Sequence, residues 1–117
     1  SEGGRIMIHA LKIEPKYFND YASGKKTFEV RLYDRPFEVG DYLALNEYDC
    51  YANEYKGEYT GRCALCVITY ILANPDYCKE GYIIMSIAPC DIDRRDENLK
   101  RMCNIKGIAV YDREDTP

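Results

Sequence analysis

The sequence has no tryptophan, only three phenylalanines and a single histidine, His9, among its 117 residues. One histidine excludes a paired-histidine acid–base centre of the ribonuclease type. No apolar run approaches the ~20 residues that a membrane-spanning helix needs. No basic-then-apolar opening resembles an export signal, so the expected address is the cytoplasm, with no membrane partner. An excess of positive charge is also lacking. The net charge of −4 argues against sequence-blind binding of polyanions. Internal repeats and low-complexity segments are absent as well.

Six cysteines are present, at 50, 63, 66, 78, 90 and 103. With no sign of secretion and a chain long enough to bury a core unaided, they read as reduced thiols. Cys63 and Cys66 have the C-x-x-C spacing. Within a strand, residues three apart face opposite sides, and no second such pair follows. Neither a metal site nor a cofactor is expected.

What is present is an ordinary globular mixture, 46% apolar and 31% charged, with 12 tyrosines. It fits one domain. Tyrosine favours strands and half-wet surfaces, because its ring is apolar and its tip polar. The charge is unevenly spread: residues 1–35 carry seven Lys/Arg against five Asp/Glu, and residues 36–117 carry nine against fifteen. A locally basic face on an acidic protein can still hold phosphate.

Along the chain, residues 1–5 read as a tag scar or loose leader, and residues 5–9 as a first strand. A short helix is expected over 14–23, with Pro15 in its first turn, Gly24 as its stop, and Tyr17, Phe18 and Tyr21 on its buried side. Residues 26–33 alternate, with Phe28, Val30 and Leu32 on one face and Thr27, Glu29 and Arg31 on the other. Further strands are expected over 41–48, with Leu43 and Leu45 inward, over 62–73 and over 82–88. A tyrosine-rich loop or ragged hairpin separates the first two, over 49–61. From Asp91 the texture turns charged. Asp93 is placed to cap a helix through about Cys103, so 91–117 reads as a helical extension to a domain of 6–90. Five short strands with one early and one late helix argue against a βαβ sheet. They suggest a mainly β (α+β) fold, a small barrel or curled sheet.

The chemistry concentrates where the early helix ends and a strand begins. Lys25 and Lys26 stand at that junction, and Glu29 and Arg31 project from one face two residues later. Strand faces that carry charge are commonly solvated. If this one lines a cleft, the arginine offers a planar fork for phosphate, carboxylate or a base edge, and the glutamate orients it. His9 reads either as a hydrogen-bonded structural histidine or as part of such a cleft. Tyr48, Tyr51, Tyr55 and Tyr59 read as packing residues, with one or two at a cleft rim.

Gly24-Lys25-Lys26-Thr27-Phe28-Glu29-Val30-Arg31 resembles the G-x-K-x-x-E-x-R signature of the ASCH domain, a relative of the PUA RNA-binding fold. The resemblance continues through Ile8 to Ile13, Pro15 and Phe18, Asp34-Arg35-Pro36-Phe37 and Val39-Gly40-Asp41. It then takes in Glu47-Tyr48-Asp49, Tyr59-Thr60-Gly61-Arg62, Val67 to Tyr70 and Gly81 to Ile87. Over about residues 6–88 the chain looks like a small bacterial and phage ASCH-like branch. What the resemblance implies is a β-barrel of five or six strands with flanking short helices. The signature would line a cleft that holds RNA or a nucleotide. Gly24, Lys26, Glu29 and Arg31 are the positions carried over; Lys25, Lys12, His9 and Arg35 complete the candidate ligand set. Some ASCH-like proteins are amidohydrolases of a modified cytidine, with a threonine nucleophile where this chain has Glu29. A ribonuclease activity is ascribed to others, and in a hydrolase here Lys26 and Glu29 would be the catalytic pair. The resulting expectation is a binding module for RNA or a nucleotide. The alternatives are a hydrolase in the same cleft or a protein adaptor working through residues 91–117.

Overall fold

The computed structural model describes residues 7–89 and, for the backbone, 109–111. In chain order the elements are β1 (Ile8–Ile13), α1 (Pro15–Ala22), β2 (Phe28–Leu32), β3 (Tyr42–Asp49), α2 (Ala52–Tyr55), β4 (Glu58–Leu72), β5 (Tyr82–Pro89) and β6 (Ala109–Tyr111). The leader at 1–5, the expected helix from Asp93 to Cys103 and most of the tail over 91–117, where a protein adaptor would dock, lie outside the described residues. Within the tail, 109–111 is a strand rather than helix.

Five strands make a curled half-barrel in the order β1-β3-β4-β5-β2, and β6 pairs with the early part of β4. β1 runs parallel to β3, and the next three pairings, β3–β4, β4–β5 and β5–β2, are antiparallel. The curl comes from β4, which is long enough to serve two neighbours. Its first half pairs with β3 and its second with β5; they overlap only around Cys66 and Val67. Register shifts beside Glu47 and Thr69 bend the sheet on either side of that overlap. Residues 58–61, expected in a loop, belong to β4, because the left-handed turn before them reverses the chain sooner than the sequence suggested.

The concave face carries the core. Leu11, Ile13, Leu43, Leu45, Cys66, Ile68, Ile83, Met85 and Ile87 close around Phe18, Tyr21 and Ala22 of α1. Cys63 falls on the other face, with Ala44 and Leu65. The two cysteines therefore point apart, as strand geometry requires. Tyr17 departs from its expected buried place. Phe18, Tyr21 and Ala22 make the inward stripe, and Tyr17, one position off it, stands 41% exposed. Among the described residues no helix is long and apolar enough to cross a membrane.

Candidate functional site

The end of α1 is built to deliver two lysines. Gly24 adopts φ +83°, its N–H donates to the Tyr21 carbonyl, and the Lys25 N–H donates to the Asp20 carbonyl. This is a Schellman cap, in which a left-handed residue after the helix satisfies the last carbonyls. The Lys26 N–H also donates to the Asp20 carbonyl. The chain leaves the helix in a fixed direction and enters β2 two residues later.

β2 then sits on the sheet the wrong way round for a strand of its composition. Glu29 lies opposite Met85, and Arg31 opposite Ile83, on the core-facing side. Phe28, Val30 and Leu32 face outward at 45%, 49% and 49% exposure. A carboxylate only 3% exposed is costly unless charge and hydrogen bonds compensate it. Here both oxygens are engaged. Lys26 Nζ donates to Oε1 and also to the Phe28 carbonyl. Arg31 Nε donates to Oε2 at 2.8 Å.

Arg31 does a second thing. Its Nη2 donates to the Lys12 carbonyl at 2.7 Å. Lys12 is on β1, one edge of the half-barrel, and Arg31 is on β2, the other. The two edges share no backbone ladder, so this guanidinium spans the seam between them. A guanidinium has five N–H donors, and these two bonds leave three of them for another acceptor.

A cleft of about 670 Å³ opens along this seam. Lys12, Lys25, Lys26 and Arg31 line it against Glu14, Asp20 and Glu29, with Tyr17 and Phe28 as aromatic walls. A smaller hollow of about 350 Å³ lies along the same seam, and Arg35 lines it. Lys12 Nζ rests 4.1 Å from the centre of the Tyr48 ring, a cation–π seat. That ring packs so closely on Gly57 that a Cβ there would collide with it.

The structure thus brings Lys12, Lys25, Lys26, Glu29 and Arg31 around one cleft, with Gly24 setting its entry. Arg35 lines the neighbouring hollow. His9 lines neither. Its Nε2 lies 2.8 Å from Asp41 Oδ2, deep beside Phe37. Among the described residues, no serine, threonine, cysteine or histidine lines the larger cleft. Thr27 is exposed beside it, and its carbonyl accepts from the Ile87 N–H.

A second ionic centre was not foreseen from the sequence. Arg62 of β4 binds the buried Glu47 carboxylate with both prongs, each at 2.9 Å, while Thr60 donates to the same carboxylate. Arg62 also donates to Asn19 Oδ1 at 2.8 Å, and its guanidinium lies 4.3 Å from the centre of the Phe18 ring. It therefore ties α1 to the sheet and fixes the helix that carries Tyr17, Asp20 and the lysine junction. Burial pushes the Glu47 pKa up, but the hydrogen bonds from Arg62 and Thr60 and the guanidinium charge outweigh it, holding the carboxyl below its ordinary value. Only the pairing of two positions fifteen residues apart could have exposed this centre, and one sequence does not reveal pairing.

The fold and site together define a small curled β-domain with a charged seam. Residues 8–87 match the family described as "Domain of unknown function (DUF3850)", and the chain belongs to that family. It is similar to a protein of Escherichia phage P2 described as an uncharacterized 12.9 kDa protein in the GpA 3′ region. They are 36% identical over 78 residues, 67% of this chain, and the match spans 65% of the phage protein's length.

Proposed function

We propose that the seam cleft binds RNA or a nucleotide, with Arg31, Lys26 and Lys25 holding phosphate or a base edge and Tyr17 and Phe28 offering ring faces. The observation that carries this reading is the inversion of β2. The chain buries a glutamate and half-exposes a phenylalanine, a valine and a leucine on the same strand. A local rule broken at the expense of stability marks a site kept for function. The resemblance to ASCH and PUA-like domains supports the same reading, since the signature residues Lys26, Glu29 and Arg31 line this cleft and Gly24 caps the helix that leads into it. Binding is favoured over hydrolysis. Glu29 spends both oxygens on Lys26 and Arg31, and among the described residues the cleft wall offers no hydroxyl or thiol nucleophile of the serine, threonine or cysteine type.

The test is a fluorescence-anisotropy titration of short single-stranded RNA at fixed salt. Arg31→Ala should weaken binding by about 1–3 kcal/mol, the scale of a good bidentate contact. Lys25 is exposed and supports no structural bond through its side chain, so Lys25→Glu gives a fold-neutral second variant that should also weaken binding. Unchanged affinity in both variants removes the assignment.

A further inference from the structure

The two hollows are parts of one seam. Lys12 and Arg31 line both, and Arg31 stands between them with three N–H donors still to place. Beyond Arg31 the charge balance changes. The larger cleft sets four cations against three carboxylates. The smaller sets Lys12, Arg31 and Arg35 against Asp34 alone. Arg35 touches Asp34 only at 3.3 Å, with both side chains more than a third exposed, so this pair is weak and easily exchanged for another anion. Phe37 and Tyr59 supply apolar and aromatic surface to the same hollow. The smaller space is thus the more basic of the two, and it opens directly off the residue best placed to bind phosphate.

Resting on the reading above, we propose that the smaller hollow is a second nucleotide subsite, and that the ligand is a single strand of at least two linked nucleotides. The bridging phosphodiester lies against Arg31 and Lys12, one nucleoside occupies the larger cleft, and the next phosphate meets Arg35. A free mononucleotide occupies only one of the two hollows. A strand recovers the second set of charge contacts without a second loss of translational freedom, so its affinity rises with length.

The experiment compares a ribonucleoside monophosphate pool with a random-sequence RNA tetranucleotide, titrated into the full chain at one salt concentration. The tetranucleotide should bind at least about tenfold more tightly, the gain expected of roughly one added phosphate contact. Arg35→Ala should shrink the ratio of the two affinities by about tenfold, whereas Lys25→Glu should lower both affinities and leave the ratio in place. A melting curve confirms that Arg35→Ala is folded. Monophosphates binding as tightly as the tetranucleotide, or a ratio untouched by Arg35→Ala, overturns the second subsite and leaves the single-cleft reading standing. Failure of both ligands to bind the unaltered chain overturns both.

Discussion

At the scale of single residues, two of the three buried carboxylates among the described residues, Glu29 and Glu47, solve the same problem differently. Glu29 is clamped from two sides by cations on its own strand and the turn before it. Glu47 is held by a bidentate arginine from the neighbouring strand. Arg62→Ala would leave Glu47 buried without its partner. Loss of a fully buried pair costs about 3–5 kcal/mol. The Arg62 side chain is 38% exposed, which lowers the expectation to about 2 kcal/mol, read by urea denaturation. The pH dependence follows from the lowered Glu47 pKa. Because the folded state holds the carboxyl more acidic than the unfolded chain does, the stabilisation is complete above the ordinary glutamate value of 4.5. It fades as pH falls through the lower folded value. The stability gap between Arg62→Ala and the unaltered protein should therefore narrow on acidification. A gap constant from neutral pH to pH 3 would show that the pair contributes nothing through its charge.

At the scale of elements, β2 shows how far a sequence can be read and where reading stops. Alternation placed Glu29 and Arg31 on one face and Phe28, Val30 and Leu32 on the other, and the structure keeps both sets. What alternation does not say is which set turns inward, since either orientation satisfies a period of two. That choice is made by the ladder with β5, through Met85 and Ile83, far away in sequence. The helix was more legible because its signals are local: Pro15 in the first turn, Gly24 after the last, and Phe18 and Tyr21 at helical spacing. The strand at 58–61 was hidden. Asn53, Glu54 and Tyr55 take φ of 55°, 56° and 69° ahead of Gly57 at 81°, and of the first three only asparagine favours the left-handed backbone, so a run of this kind is not anticipated from propensity. The inverted strand gives a direct expectation. Leu32→Thr, on the outward face, should change stability by less than about 1 kcal/mol, while Met85→Ala, beneath the inward face, should cost about 2–5 kcal/mol. Thermal melts of the pair decide it, and equal losses would mean that β2 packs the other way. At the helix end, Gly24→Ala should cost about 1 kcal/mol, because alanine resists the left-handed backbone there.

At the scale of the whole molecule, the half-barrel places its charged groups on the line where the sheet fails to close. Main-chain pairing runs from β1 round to β2 and ends there. The gap left over holds both hollows. On the function proposed above, an acidic protein with a basic groove should discriminate among polyanions by fit. Binding should then weaken as salt rises, with a slope set by the few phosphates contacted rather than by total charge. A slope near zero for RNA in the titration above would remove phosphate from the interaction.

The guanidinium of Arg31 is also a latch, and latches guard against neighbours. β1 and β2 are the two open borders of the sheet and Arg31 crosses between them; among the described residues, β2 presents Phe28, Val30 and Leu32 beside its vacant hydrogen-bonding edge. Such a border invites a strand from another copy. Arg31→Ala should therefore shift toward dimers and larger species as concentration rises, visible by light scattering, while Lys25→Glu stays monodisperse under the same conditions. The side chain proposed to grip a ligand would then also be what keeps each molecule from gripping the next.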